Sequence, residues 1–449
     1  MTAPSQHVLI ATLGSGGDVH PYLAVGRALR RRGLTVSVLT NPHFAGRVAA
    51  AGLDLIPFGT EQQYLEILRH PDLVHPYRSP FYVFRELILE RSRALFAATR
   101  QALIDHRSCL LLSHHVAFAA MWAAQDQRLP VAAGTLAPIF WLSGHDPSVY
   151  GLLKRRLPNP LFRWRLAASE RLGRRWIDGP INAVRADLGL PPMRNAFRTH
   201  ATGMQLALGL WSPALRGPMP DDAPGSLITG DCIFDGAESD SPSGPASLPA
   251  PLERFLRAGP PPIIFTLGTS VVHHGQGFYA LAARATAALG RRCVLVGADP
   301  NAVPSSTRPF ALCVPYAPFS TLLPRGCCTV HHGGVGTTHA AARAGTPQVV
   351  VAFANDEFDN AARIARAGAG ASIHASRLTL PRLAETLDRL LSTPSVTPAA
   401  RALAERMGPD QGADRAADAL VSLIAQQPPR PHPLSEPGPA TGPATAAVR

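Results

Sequence analysis

Several residue types that signal a particular class of protein are scarce in this chain of 449 residues. Its six cysteines show no C-x-x-C spacing, which argues against a zinc or disulfide framework and favours small core residues in a reducing compartment. Aromatic residues make up only 6% of the chain and no nucleic-acid-binding module is apparent, so we expect no nucleic acid partner. Because neither a secretory signal nor an apolar run of membrane-spanning length occurs, the expected location is cytoplasmic.

Lysine is also nearly absent, because Lys154 is the only one and arginine supplies almost all of the positive charge. The formal net charge is +12. An arginine-rich surface attracts nucleic acid, anionic lipid or phosphorylated ligands. With nucleic acid set aside, the charge favours an acidic small ligand or peripheral association with the inner face of a membrane.

The alternation of strand and helix patterns predicts two α/β domains. A chain of this length is too long to fold around one hydrophobic core, and its 46% of hydrophobic residues is enough to fill two cores. Each half repeats a β-α-β succession, which predicts a parallel sheet with ligands at the carboxyl ends of its strands. The predicted division is a first domain over 1–235, a linker over 236–261, a second domain over 262–427 and a disordered tail over 428–449.

Apolar runs give the predicted strands, and a helix is expected over Pro21–Arg32 with Pro21 in its first turn. The predicted strands are His7–Leu13, Thr35–Thr40, Leu53–Phe58, Cys109–Ser113, Pro130–Gly134, Pro262–Leu267, Cys293–Val296, Ala311–Pro315, Cys327–His331 and Gln348–Ala352.

The most informative motif is the run from His331 to Thr338, where a strand passes into a helix through His-His-Gly-Gly-Val-Gly-Thr-Thr. Free N–H groups at a helix start and the positive end of its dipole bind phosphate oxygens. Glycines let the backbone approach a ligand closely, while hydroxyl and imidazole groups add donors. The simpler alternative is a structural turn between two buried histidines.

Two well-known phosphate-binding motifs are excluded. The run lacks the lysine of a P-loop, and His339 stands where a G-x-G-x-x-G motif would have its third glycine. A second glycine-rich loop, Gly14-Ser15-Gly16-Gly17-Asp18, follows the first strand and has Val19 at the corresponding position. Two such loops, one in each half of the chain, are a stronger signal than either alone.

The regular alternation stops over residues 136–192, where tryptophans such as Trp141, Trp164 and Trp176 are mixed with clustered arginines. This segment is either a helical excursion with arginines facing solvent, or a pocket or membrane-facing surface for an apolar substrate.

The two loops, the two β-α-β domains and the run from Tyr316 to Asn360 resemble the nucleotide-sugar-dependent glycosyltransferases of the GT-B fold, family 1. Among bacterial members the similarity extends to glycopeptide, macrolide and sterol glycosyltransferases, and most of all to the catalytic chain of rhamnolipid rhamnosyltransferase. The resemblance implies two Rossmann-like domains facing across a cleft, the first binding an acceptor and the second a nucleotide sugar.

The resemblance also implies roles for residues of the second domain. Tyr316 and Pro318 match an aromatic-x-Pro element that stacks on the nucleotide base, beside which the backbone near Phe319 contacts the base edge. The implied diphosphate contacts are Gly268, Thr269, His331, Gly333, Gly334, Gly336 and Thr337. Asp356 and Glu357 match an Asp-Gln pair that holds sugar hydroxyls, and Glu357 departs from it because an ionised carboxylate accepts but does not donate. The alternative for this pair is two solvated acids at a helix start.

In the first domain the resemblance makes Asp18 the candidate general base, with His20, His114 or His115 in a position to orient it. The competing interpretation is that Asp18 caps the following helix. A single displacement with inversion is expected, in which the departing diphosphate is stabilised by N–H and hydroxyl donors. No carboxylate lies in the phosphate loop, so we expect neither metal nor cofactor.

The expected donor is a dTDP or UDP sugar, with rhamnose first and glucose second. The expected acceptor is a hydroxylated lipid, with a polyketide or sterol as alternatives. Two further functions stay open at this point: a sugar-nucleotide epimerase with the same two domains, and a non-catalytic nucleotide-sugar-binding partner.

Overall fold

The computed structural model describes residues 6–146, 159–196, 204–235 and 248–427, which contain two parallel sheets. The first sheet has the order β3-β2-β1-β4-β5-β6-β7. Its strands are β1 His7–Ala11, β2 Thr35–Thr40, β3 Asp54–Pro57, β4 Leu110–His114, β5 Val131–Thr135, β6 Leu206–Gly209 and β7 Leu227–Ile228.

The second sheet has the order β10-β9-β8-β11-β12-β13, and every recorded strand pair is parallel. Its strands are β8 Ile263–Thr266, β9 Cys293–Val296, β10 Ala311–Val314, β11 Cys328–His331, β12 Gln348–Ala352 and β13 Gly370–His374. Both sheets are therefore doubly wound, with the strand order reversing beside β1 in one and beside β8 in the other.

Helices cover both faces of the sheets and bury the apolar strands. Their bounds are α1 Gly16–Arg31, α2 Ala45–Ala50, α3 Glu61–Arg69, α4 Ser79–Val83, α5 Ser92–Asp105, α6 Phe118–Asp126, α7 Asn159–Asp187, α8 Ala250–Arg257, α9 Gln276–Ala288, α10 Phe319–Leu322, α11 Val335–Arg343, α12 Glu357–Arg366, α13 Leu380–Ser392, α14 Val396–Met407 and α15 Gly412–Ala425. In the described parts of the chain, no helix combines the length and apolar character needed to cross a membrane.

Helix α1 begins earlier than the sequence suggested. It starts at Gly16, so Pro21 lies inside the helix and not in its first turn. The start is fixed by Ser15 and Asp18, which form a capping box in which the Asp18 carboxylate accepts from the Ser15 N–H. The prediction placed the start at the proline and missed this Ser-x-x-Asp signal.

The region between the two sheets differs in two ways from the predicted division. Residues 250–257 of the predicted linker form helix α8, whereas 236–247 and the predicted tail 428–449 lie outside the described residues. Helix α15, assigned from sequence to the second domain, packs on α1 of the first, where Arg32 pairs with Asp414 at 2.9 Å. Buried Arg363 of α12 also bonds with Asp146 of the first domain, and Arg343 of α11 pairs with Asp231 at 2.6 Å, so several charged pairs join the two domains.

The strand order brings the loops of interest to one place. The loops after β1 and β4 lie at the carboxyl edge of the first sheet, and those after β8, β11 and β12 at that edge of the second. The two edges face each other, since a Cβ added to Gly16 would lie 3.0 Å from Thr269 Oγ1. The cleft between the domains is therefore lined by both glycine-rich loops.

Candidate active site

His331 ends strand β11 and is fully buried, with both ring nitrogens engaged inside the protein. Its Nδ1 accepts from the Gly333 N–H at 3.1 Å, so the proton sits on Nε2, which donates to Gln348 Oε1 at 2.9 Å. Burial lowers the pKa of His331 to about 4, so the ring is neutral. His331 was expected from the sequence to donate to a diphosphate. The structure corrects this, because the only ring N–H of His331 is already bonded to Gln348.

His332, the next residue, lies on the other side of the backbone. A Cβ added to Gly268 would be 2.5 Å from its Cε1, and one added to Gly334 would be 2.3 Å from its Nε2. The ring therefore fits between two glycines, and Gly268 also has a φ of +60° that favours glycine. Among the described residues no partner bonds His332 Nδ1, and burial lowers the pKa of the ring to about 3. Sequence reasoning missed His332, although the alternation of side chains along a strand separates it from His331.

The remaining residues of this turn divide into structural and accessible positions. Gly333 has a φ of +102°, and an added Cβ would come within 2.7 Å of Val350 Cγ1. Gly334 precedes α11, and Gly336 in its first turn is exposed with open space where a Cβ would stand. Thr337 is buried beside it. The Thr338 hydroxyl, counted from sequence as a possible ligand donor, instead bonds Gly334 O at 3.0 Å.

Asp356 and Glu357 form the start of α12, where Glu357 is buried and Asp356 is half-buried. Glu357 Oε2 accepts from the N–H groups of Phe353 at 2.6 Å and Ala354 at 3.0 Å, so this carboxyl closes the turn after β12. Asp356 Oδ2 accepts from Asn360 Nδ2 at 2.9 Å, and the same amide donates to Gly333 O at 2.9 Å. The two strand-end turns are therefore tied together by Asn360.

Burial determines the charge of both carboxyls. It raises the pKa of Glu357 well above its usual value. Burial, and next the negative charge of Asp18 from the opposite domain, raises the pKa of Asp356 to about 7. Asp356 and Asp18 therefore interact electrostatically across the cleft, although they lie on different sheets.

Asp18 is both a helix cap and a partly accessible acid. Its Oδ2 accepts from the Ser15 N–H at 2.7 Å and hydroxyl at 3.0 Å, while Oδ1 lies 3.7 Å from His114 Nε2. The side chain is 34% exposed, whereas that of His114 is 2% exposed behind it. Burial raises the pKa of Asp18 to about 6, more than the hydrogen bonds from Ser15 lower it. A carboxylate with this pKa is mostly ionised at neutral pH and accepts a proton more readily than an exposed one.

His20 was expected to assist Asp18, but the structure places it differently. Its ring packs against Phe234 at a centroid distance of 5.8 Å and against Phe44 at 6.5 Å. Burial, followed by the charge of Arg47, lowers the pKa of His20 to about 4. Among the described residues the hydrogen bonds of the Asp18 carboxylate are with Ser15, so His114 and not His20 is the histidine beside this acid.

Tyr316, Pro318 and Phe319 lie at the end of the cleft formed by the loop after β10. The Tyr316 ring is 46% exposed, and the Arg47 guanidinium of the first domain lies 5.1 Å from its centroid. The Tyr316 hydroxyl donates to Asp235 O at 3.3 Å. Pro318 is buried and caps α10, which Phe319 starts. An aromatic face at this edge is available to a planar ligand.

The aromatic residues of the 136–192 segment have separate environments. Phe140 is 36% exposed and its ring lies 4.3 Å from His115, whose ring lies 4.4 Å from that of His114. Trp141 is instead buried, with Nε1 donating to Thr135 Oγ1. Trp164 and Trp176 are exposed on α7. The half-exposed ring of Phe140 is thus linked through His115 to His114, the histidine beside Asp18.

The described residues contain no group of three His, Cys, Asp or Glu side chains arranged to hold a metal ion. His331 and His332, adjacent in sequence, face different surroundings, as their separate contacts show.

Comparison with known proteins identifies both halves of the chain. Residues 8–134 match the glycosyltransferase family 28 N-terminal domain, and residues 295–423 match the C-terminal domain of erythromycin biosynthesis protein CIII-like proteins. The chain is 30% identical over 410 residues to O-mycaminosyltylonolide 6-deoxyallosyltransferase of Streptomyces fradiae, covering 87% of this chain and 90% of that protein.

Two solved structures share the fold. The calicheamicin glycosyltransferase CalG4 gives a TM-score of 0.70 at 20% identity, covering 95% of this chain and 100% of that one. The glycosyltransferase SsfS6 of Streptomyces sp. SF2575, solved with thymidine diphosphate, gives 0.61 at 19% identity, covering 94% and 100%. The chain therefore belongs to the GT-B glycosyltransferases of the family 1 and family 28 type, with an erythromycin CIII-like C-terminal domain, and is a nucleotide-sugar-dependent hexosyltransferase.

Proposed function

We propose that this protein transfers a hexose or deoxyhexose, with rhamnose first and glucose second, from a dTDP or UDP sugar to a hydroxyl of a hydrophobic acceptor. The observation that carries the proposal is the close approach of the two domains at the loop of Asp18, where a Cβ added to Gly16 would lie 3.0 Å from Thr269 Oγ1, together with the effect of the Asp18 charge on the pKa of Asp356. In the proposal Asp18 serves the acceptor and Asp356 the sugar, so that both ligands are held in one cleft.

The donor contacts follow from the second domain. Tyr316 offers a face for the base, and the N-terminus of α11 at Gly334 to Thr337 offers N–H groups and a positive dipole end for the diphosphate. We assign the side-chain contact with the diphosphate to His332, because the single ring proton of His331 is donated to Gln348 and its other ring nitrogen accepts from the Gly333 N–H. Gly268 and Thr269 close the opposite side of this pocket.

Asp18 acts as the general base in this proposal. Its carboxylate takes the proton of the acceptor hydroxyl as that oxygen attacks the anomeric carbon and the bond to the diphosphate breaks, with inversion. Because the pKa of Asp18, near 6, is far below that of an alcohol, the proton moves late, as the new C–O bond forms. Negative charge on the departing diphosphate is stabilised by His332 and the start of α11. The proposed reaction uses no metal ion, so chelation by EDTA should leave the rate unchanged.

The proposed acceptor is apolar. Phe140 provides a half-exposed aromatic ring within the chain of contacts His114–His115–Phe140 that begins at Asp18. A hydroxy-fatty-acid lipid is the first candidate, and a macrolide or other polyketide is the second, supported by the substrate named for the Streptomyces fradiae relative. Trp164 and Trp176, exposed on α7, support a peripheral contact with a membrane from which a lipid acceptor is taken.

The test is release of nucleoside diphosphate from dTDP-rhamnose, dTDP-glucose and UDP-glucose, with a 3-hydroxyacyl lipid, a macrolide aglycone or no acceptor. Asp18→Asn is the matched variant, because its amide oxygen still accepts the Ser15 N–H. Release that needs one acceptor and is lost in the variant supports the proposal. Donor isomerisation without transfer indicates an epimerase, and nucleotide binding without either reaction indicates a non-catalytic partner.

A further inference from the structure

The turn that carries Asp356 is bonded to the opposite domain through the residue before it. Asn355 Nδ2 donates to Ser79 Oγ at 2.8 Å, and the Ser79 hydroxyl donates to Leu73 O at 2.7 Å. Ser79 begins α4 in the first domain and is fully buried. The two bonded residues are 276 positions apart in the chain.

The backbone of Asn355 has an unusual conformation, so a bond to its side chain affects the shape of the turn. Its φ of +51° lies in the left-handed region, which costs most L-residues free energy and which asparagine tolerates better than most. The other bonds of the turn come from its own domain, through Glu357 and Asn360. The orientation of Asp356 depends on the φ and ψ of Asn355, the residue before it. The side chain of Asn355 is in turn held by a bond from the first domain.

The contact is part of a longer bridge between the domains. Residues 68–83, which we call the bridging segment, belong to the first domain, yet Val74 packs on the core of the second. At the other end of this segment, the Leu68 carbonyl accepts from His274 Nε2 at 2.9 Å. Ser79 is therefore held against the second domain by contacts on its N-terminal side, and Asn355 is bonded to a segment that is already anchored.

We propose that Ser79 is a positioning residue for sugar recognition: through Asn355 it fixes the turn so that Asp356 meets the hydroxyls of the transferred sugar. This inference rests on the proposed function, because it assumes that Asp356 contacts the sugar. Ser79 touches neither substrate, and it acts from the domain that binds the acceptor. The turn that carries Asp356 is thus held in part by the domain on the other side of the cleft.

A consequence separates this role from a general effect on folding. The base and diphosphate contacts, at Tyr316 and His332, lie on other turns and have no recorded bond to the bridging segment in the described part of the chain. The bonds of Asn360 that tie this turn to Gly333 stay in place when the Ser79–Asn355 bond is lost, so a nucleoside diphosphate that lacks the sugar should bind equally well with or without that bond. A nucleotide sugar should bind more weakly when the bond is lost.

The experiment measures the affinities of the full chain for dTDP and for a dTDP sugar by calorimetry, with thermal unfolding as a check on the fold. Ser79→Ala and Asn355→Gly each remove the bond, and glycine accepts the positive φ. We expect each to weaken binding of the nucleotide sugar about fivefold, as for one neutral hydrogen bond, and to leave binding of dTDP unchanged. The double variant should be no weaker than either single one, because both remove the same interaction.

The matched control is His274→Ala, which removes another bond of the bridging segment without touching the turn. It should leave the ratio of the two affinities unchanged, because Val74 still packs on the core of the second domain and the Ser79–Asn355 bond is intact. The inference is overturned if Ser79→Ala weakens both ligands equally, if it changes neither, or if the single effects add in the double variant. If the unmodified protein binds neither ligand, the proposed function fails instead, so the two failures are distinguishable.

Discussion

The two adjacent histidines allow a sharp test, because the structure gives His331 a role in stability and the proposed function gives His332 a role in catalysis. His331→Ala removes a ring that bonds the Gly333 N–H and Gln348 Oε1, both buried. Each polar group left unpaired costs about 1–3 kcal/mol, so about 2–6 kcal/mol of stability should be lost in the second domain. The apparent Tm should fall by several degrees.

His332→Ala should have the opposite pattern. Among the described residues Nδ1 has no partner, so that atom leaves no orphaned group behind, and the stability cost is mainly the lost packing between Gly268 and Gly334. If His332 donates to the departing diphosphate, its loss resembles the removal of one oxyanion donor, which costs about 10²- to 10³-fold in kcat.

The assay is nucleoside diphosphate release at saturating donor, with thermal unfolding of the same preparations. His332→Gln, which retains a side-chain N–H, serves as the control and should recover part of kcat. The reasoning is refuted if His331→Ala lowers kcat as far as His332→Ala while its Tm stays unchanged. It is also refuted if His332→Ala has full activity.

The other predictions concern acidity, the base site and the surface. With a pKa of Asp18 near 6, kcat/KM should fall about tenfold between pH 7 and pH 5 in the unmodified enzyme, and a flat profile would remove Asp18 as the base. The raised pKa of Glu357 means that the folded state holds a proton which the unfolded state loses, so stability falls as pH rises above about 4.5. Glu357→Gln should flatten this fall in a pH series of unfolding curves, since the amide oxygen still accepts the two turn N–H groups. Tyr316→Ala should weaken nucleotide binding by about 1–3 kcal/mol in calorimetry, with an unchanged affinity counting against base stacking. Replacing Trp164 and Trp176 by serine should lower binding to anionic vesicles in sedimentation, and equal binding of both proteins would exclude α7 as the contact.

Much of the fold was predictable from local pattern. The strands that carry the site were expected from apolar runs bounded by glycine, and β2, β9 and β12 have the predicted bounds. Parallel pairing followed from the alternation of strands and helices, and the position of the cleft followed from the rule that ligands bind beyond the carboxyl ends of such strands. These inferences hold because they depend on a few neighbouring residues each.

The errors arose where the outcome depends on atoms that are distant in sequence. The local sequence does not indicate which of His331 and His332 has hydrogen-bond partners within the protein, because Gln348 comes from the next strand. The contact of Asn355 with Ser79 is likewise not visible in a local pattern, since Ser79 belongs to no motif and lies 276 positions away in the chain. The place of α15 on the first domain depends on apolar residues such as Leu420 and Ile424 packing into the core around β1 and α1, most of the chain away.

Asp18 shows why two interpretations of one residue need not compete. The cap and the general base were alternatives at the level of sequence, yet the structure uses Oδ2 for Ser15 and leaves Oδ1 beside His114 in a side chain that is one-third exposed. Because the two bonds to Ser15 fix the rotation of the carboxylate, the free oxygen is aimed without a further partner. In the proposed function, capping is therefore part of what orients the base. Removal of the Ser15 hydroxyl should then impair catalysis more than it impairs the helix, because the Ser15 N–H bond remains.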